Sequence, residues 1–136
     1  MATRDQIVAE ARSWLGTPYR HQGRLKGVSV DCAGLVVGVA QALGLPALDM
    51  SGYARRPDGS LRDFVHGQTE AVAPGAQQGG DIVIFQWQNA PVHLALLTAP
   101  DCIIHAFAIN REVCEHGIDE KWLLNIVGYR KFSGVE

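Results

Sequence analysis

No segment of this 136-residue chain is both long and apolar enough to cross a bilayer. The first residues, Met1-Ala2-Thr3-Arg4-Asp5-Gln6, lack the apolar stretch of an export leader, so work outside a cytoplasm would need another carrier. No run of lysine or arginine marks a phosphate-binding groove. The formal net charge of −2 gives no general attraction to nucleic acid or anionic lipid, so neither nucleic acid nor membrane is an expected partner. There is no Cys-x-x-Cys pair and no His-x-x-x-His pair on a predicted helix, which disfavours a metal site despite five histidines. The three cysteines, Cys32, Cys102 and Cys114, cannot all pair with one another, and reduced thiols are expected. No repeat or low-complexity run divides the chain.

What is present fits one globular domain over residues 1–136, with 47% apolar and 19% charged residues. Thr3 to Leu15 reads as an amphipathic helix: Thr3 and Gln6 fit a capping box, and Ile7, Val8, Ala11, Trp14 and Leu15 share a face. Tyr19 to Val30 reads as a loop. Asp31 to Leu43 reads as a second helix, with Leu35, Val36, Val39, Ala40 and Leu43 at helical spacing and Gly44 and Pro46 as a stop. Residues 47–80, poor in periodicity and rich in proline, glycine and arginine, read as a surface insertion that shapes a cleft, with a short helix near Ser60 to Gly67. After Gly79-Gly80 come strand-like runs at 81–87, 92–98 and 102–108, with two more at 112–116 and 126–132. Helices first and an antiparallel meander after them predict an α+β domain.

Chemistry concentrates at Cys32. Asp31 is an N-cap candidate, because its carboxylate can accept bonds from the first amides of the helix. Cys32 then lies where the helix dipole favours a thiolate, so a lowered pKa is expected. A base and an orienting group are needed beside such a nucleophile. His93 and His105 fall inside apolar strands, where imidazole requires a partner. If Ala99-Pro100-Asp101 is a three-residue loop, Thr98 pairs with Cys102, and His93 and His105 become diagonal neighbours on one face. A two- or four-residue loop would place them on opposite faces. His21 reads as a solvated loop residue, His66 and His116 as surface, Cys102 and Cys114 as core, and the tryptophans as core or cleft wall.

Gly16-Thr17-Pro18-Tyr19, Asp31-Cys32-Ala33-Gly34-Leu35-Val36, Gly80-Asp81-Ile82-Val83-Ile84-Phe85 and Val92-His93-Leu94-Ala95 resemble, in order and spacing, the NlpC-type family of papain-like cysteine peptidases. His105-Ala106 resembles the position of that family's third polar residue. The resemblance implies a papain-like α+β fold, with N-terminal helices and the nucleophile helix packed on an antiparallel sheet of about five strands. It implies a thiol hydrolase without cofactor that cleaves amide bonds in peptidoglycan stem peptides, often beside a D-glutamyl residue. Cys32 would be the nucleophile, His93 the base and His105 the orienting residue. Tyr19 would bring its hydroxyl near the thiol, and Asp31 would meet the ammonium of a substrate peptide. Chain length and the Arg24-Leu25-Lys26-Gly27-Val28 stretch are most similar to a branch encoded with phage tail or gene-transfer-agent genes. That implies synthesis in a cytoplasm, delivery on a tail and tail proteins as partners. Two departures stand out: Ala33 replaces the usual serine after the nucleophile, and His21-Gln22-Gly23 with a longer loop replaces an aromatic-Gly-Gly turn. Two other readings of the same residues are an amidase or acyltransferase acting through the same acyl-thioester, and a tail-tip structural protein that keeps the fold without using it.

Overall fold

The computed structural model describes residues 2–46, 60–88, 90 and 92–135. Helix α1 (Arg4–Arg12) starts at the expected capping box: the Gln6 amide donates to Thr3 Oγ1 at 3.2 Å, and the Thr3 amide donates to Gln6 Oε1 at 2.9 Å. It ends before Leu15, and Ser13 to Gly16 turn away. The stretch from Tyr19 to Val30 is not free of strands. It folds into a two-stranded ribbon of β1 (Arg24–Leu25) and β2 (Ser29–Val30). Helix α2 (Cys32–Ala42) follows, N-capped by Asp31 and buried along most of its length.

Residues 47–59 of the segment read as a surface insertion lie outside the described residues. The rest holds α3 (Ser60–Gln68) and β3 (Thr69–Val72). Then come β4 (Ile82–Phe85), β5 (His93–Ala99), β6 (Cys102–Phe107), β7 (Glu112–Gly117), the single turn α4 (Glu120–Leu123) and β8 (Ile126–Phe132). The large sheet has six strands in the order β3-β8-β4-β5-β6-β7, every pair antiparallel. The strand beyond the expected five is β3, at one edge. Its Thr-Glu-Ala-Val sequence carries too little apolar alternation to announce itself.

The sheet separates two cores. On one face Ile82, Ile84, Leu94, Leu96, Ile104 and Ala106 pack against α1 and α2 through Ile7, Ala11, Leu35, Val36 and Val39. On the other face Val83, Phe85, Ala95, Leu97 and Ile103 pack with Tyr129, Trp87, Trp122 and Ile126, and neither α1 nor α2 contributes. The strict alternation of even and odd residues along β4, β5 and β6 is the period-two rule of strands. At α2 the fit is close. A Cβ added to Gly38 would lie 2.7 Å from Trp14 Cη2, so the indole of Trp14 seats directly on the helix backbone.

No described helix is long and apolar enough to cross a membrane.

Candidate active site

Cys32 opens α2 and is half-buried, packed against the same apolar core as Tyr19. The Asp31 carboxylate accepts from the Gly34 amide at 2.8 Å, as expected of an N-cap. It also accepts from the Gln22 amide at 2.7 Å and from Arg24 Nη1 at 2.9 Å, and His21 Nδ1 lies 4.0 Å away. Asp31 is thus held by the chain's own donors.

The electrostatics of the thiol differ from the sequence expectation. Burial pushes the Cys32 thiol up to about 12, with the adjacent Asp31 carboxylate pushing the same way. The backbone amides of Leu94 and Ala33 and the Arg24 guanidinium act in the opposite direction without winning. The helix dipole alone predicted a thiolate, but its effect is about 1 kcal/mol, less than the cost of burying a charge. Burial first, and the capping carboxylate after it, hold the first cysteine of the helix neutral.

His93 and His105 are brought together. Their Nε2 and Nδ1 atoms lie 2.7 Å apart, and the rings meet edge-on at 5.0 Å. The connection differs from the expected three-residue loop. Ala99 pairs with Cys102, leaving the two-residue turn Pro100-Asp101, and Thr98 bulges out, so Leu97 pairs with Ile103 and Leu96 with Ile104. A two-residue turn alone would have separated the histidines. The bulge adds back one residue and restores the register of the odd loop. Burial and, after it, the charge of His116 drive the His93 pKa down to about 3; burial and then both neighbouring histidines lower His105 to about 2. Both imidazoles are therefore neutral at physiological pH, the form a general base needs.

The Cys32 thiol lies against the start of β5. The Leu94 amide that faces Cys32 belongs to the residue after His93. Among the described residues no hydrogen bond joins the thiol to His93.

Two further groups belong to this site. His116, read as surface, places Nε2 2.8 Å from His105 Nε2 and Nδ1 2.9 Å from the Gly117 carbonyl. Trp122 on α4 meets His105 edge-on at 5.0 Å and also covers His93 and His116, at 5.9 and 5.6 Å between ring centres. Phe107 stacks on His105 at 5.2 Å. The available signal for His116 was the β6–β7 hairpin. With 108–111 as its loop, His105 pairs with Cys114, and His116 becomes its diagonal neighbour on one face. Cys102 and Cys114, read as core, are half-buried, and Cys114 Sγ lies 2.9 Å from Asn110 Nδ2.

His105, Cys114 and His116 have ligand atoms within 4.8 Å of one another, the one group of metal-ligand type among the described residues. The two Nε2 atoms at 2.8 Å are hydrogen-bonded. An ion bridging them with bonds of about 2.1 Å at tetrahedral angles would need them about 3.4 Å apart. As it stands the pair fits a shared proton, not an ion.

No curated protein matches this chain. Among solved structures it is similar to an NlpC/P60 family protein from Bacillus cereus, with 21% identity over 96% of this chain and a TM-score of 0.76. It spans only 40% of that protein's length. It is also similar to the NlpC/p60 domain of the peptidoglycan hydrolase SagA, at 24% identity and TM-score 0.63, covering 96% of this chain and 98% of that one. A third likeness is to the peptidoglycan hydrolase RipB from Mycobacterium tuberculosis, at 19% identity and TM-score 0.64, covering 94% of this chain and 63% of that one. At these identities the structures attest the fold, papain-like α+β. The model of the NlpC/P60 family matches residues 16–129, from the turn before Tyr19 to the last strand and including Cys32, His93, His105 and His116. The chain belongs to the NlpC/P60 family.

Proposed function

We propose that this protein is a cysteine peptidase that hydrolyses amide bonds in the stem peptides of bacterial peptidoglycan, beside a D-glutamyl residue. The observation that carries the reading is the neutral His93–His105 pair at 2.7 Å, set beside the helix that begins with Cys32. The two similar proteins described as peptidoglycan hydrolases support the substrate class.

In this mechanism His93 takes the proton from Cys32 as the sulfur attacks the amide carbonyl, forming the C–S bond. The neutral resting thiol makes proton transfer part of the attack rather than a step completed beforehand. Amides at the start of α2 stabilise the oxyanion. The proton on His93 passes to the leaving amine as the C–N bond breaks, leaving a thioester. Water, deprotonated by His93, then releases the acid and restores the thiol. His105 holds the imidazole of His93 through Nε2. Tyr19, packed against the same core, lines the approach to the thiol. Delivery on a phage or phage-like tail, with tail proteins as partners, completes the proposal and rests on the sequence resemblance.

Digestion of defined stem peptides by the wild type and by Cys32→Ala, read by mass spectrometry, tests it. Cleavage at one amide by the wild type alone is the expected result and names the bond. Acyl groups transferred to an added amine in place of hydrolysis would move the assignment to an acyltransferase. Equal products from both proteins would overturn it.

A further inference from the structure

We infer that His116 and the Gly117 carbonyl form the anchored end of a proton-ordering line that sets the tautomer of the base; this rests on the reading of Cys32 and His93 as nucleophile and base. His93, His105 and His116 lie on β5, β6 and β7, three adjacent strands, as successive diagonal neighbours on one sheet face. Five ring nitrogens and one carbonyl stand in series: His93 Nε2 to His105 Nδ1 at 2.7 Å, His105 Nε2 to His116 Nε2 at 2.8 Å, and His116 Nδ1 to the Gly117 oxygen at 2.9 Å.

A neutral imidazole has one donor and one acceptor nitrogen, whereas a carbonyl oxygen only accepts. The Gly117 oxygen therefore requires the His116 proton on Nδ1, which makes His116 Nε2 an acceptor. His105 must then donate from Nε2, which makes its Nδ1 an acceptor. His93 must in turn donate from Nε2. The lone pair of His93 is left on Nδ1, the nitrogen that the line does not use and the only one free to take the proton of Cys32. One backbone oxygen, two strands from the base, thus selects which of the two His93 nitrogens is basic. The third polar residue of the site could not do this alone, since a neutral His105 is equally able to donate or to accept at Nδ1. Trp122 and Phe107 pack across the line and limit ring rotation that would exchange the nitrogens.

The line predicts an uncommon tautomer for His116, with the proton on Nδ1, while His93 and His105 carry theirs on Nε2. Nitrogen NMR of the whole protein with 15N-labelled histidine, near pH 7.5, reads each ring directly and needs no substrate. His116 protonated on Nε2, or at both nitrogens, would overturn the inference whether or not the protein cleaves peptides. Two variants extend the test. His116→Gln keeps an acceptor oxygen within reach of His105 and is expected to preserve the His93 tautomer and to retain kcat within about threefold. His116→Leu removes the acceptor. It is expected to produce a mixture of His93 tautomers and to lower kcat about 10- to 100-fold with KM nearly unchanged, the usual size for lost outer-shell support of a histidine. An unchanged His93 tautomer in a folded His116→Leu protein would sink the idea.

Discussion

The two faces of the sheet are built from the same strands and do different work. Toward α1 and α2, β4, β5 and β6 present Ile82, Ile84, Leu94, Leu96, Ile104 and Ala106, branched or small aliphatic groups that fill space and carry no polar atom. Toward the other side the same strands present Phe85, His93, Ala95, Ile103 and His105, and Trp87, Phe107 and Trp122 close around the histidines. Aliphatic packing tolerates no unpaired donor. Buried imidazole needs hydrogen-bond partners, which the three histidines give one another, and aromatic edges supply the remaining contacts. On the proposed reading the faces separate stability from chemistry, and Cys32, at the start of α2, packs against the first of them.

That division can be broken from either side. The largest effect is expected from His93→Ala: loss of activity of about 10²- to 10⁴-fold, the usual contribution of a positioned acid–base group, read as kcat on a cleaved stem peptide. Leu96→Ala, on the helix side, should cost about 2–5 kcal/mol of stability while leaving kcat per folded molecule within about twofold. Thermal melting alongside active-site titration checks both halves, and a comparable loss of kcat in Leu96→Ala would show that the faces are not separable.

Acid sharpens the contrast. Because burial holds His93 at about 3 and lowers His105 further, below the 6.5 of a free imidazole, the unfolded chain binds protons that the folded chain refuses. Stability should therefore fall as pH drops from 6.5 toward 3, and this contribution is complete at neutral pH. Melting temperature against pH, compared with His93→Gln/His105→Gln, should show a shallower acid slope in the double variant; parallel slopes would mean the rings are already hydrated. The smallest effect belongs to Arg24→Gln. Removing this guanidinium takes away a group that lowers the Cys32 pKa and leaves the Asp31 carboxylate to push it higher. Iodoacetamide labelling of Cys32 at fixed pH should slow by about two- to fivefold, and faster labelling would reverse the sign assigned to Arg24.

Much of this was legible in the amino-acid sequence, for identifiable reasons. The capping box at Thr3, the N-cap at Asp31 and the apolar spacing of α2 are local, and local signals survive without tertiary knowledge. The pairing of His93 with His105 was reachable because period-two alternation converts a loop length into a face. The loop itself was misjudged, since nothing in Leu97-Thr98-Ala99 marks a bulge, yet the register came out the same. His116 was missed because the same count was not carried across the next hairpin. Edge strand β3 was missed because its pairing with β8 joins residues about 60 apart. The thiol's protonation was missed for a different reason: burial is a property of the whole packing, while the helix dipole can be read from one segment.

The seat of Trp14 on Gly38 gives the site a mechanical property. Gly38 is six residues from Cys32, about 9 Å along the helix axis, so the indole acts as a fulcrum behind the nucleophile. Any side chain at that point must drive helix and indole apart, and a shift of the helix there would displace the sulfur at its end. If Cys32 is the nucleophile proposed above, a contact that never touches substrate sets how accurately its thiol is held, and a single methyl group at residue 38 would register as a fault in turnover while every reactive group stayed in place.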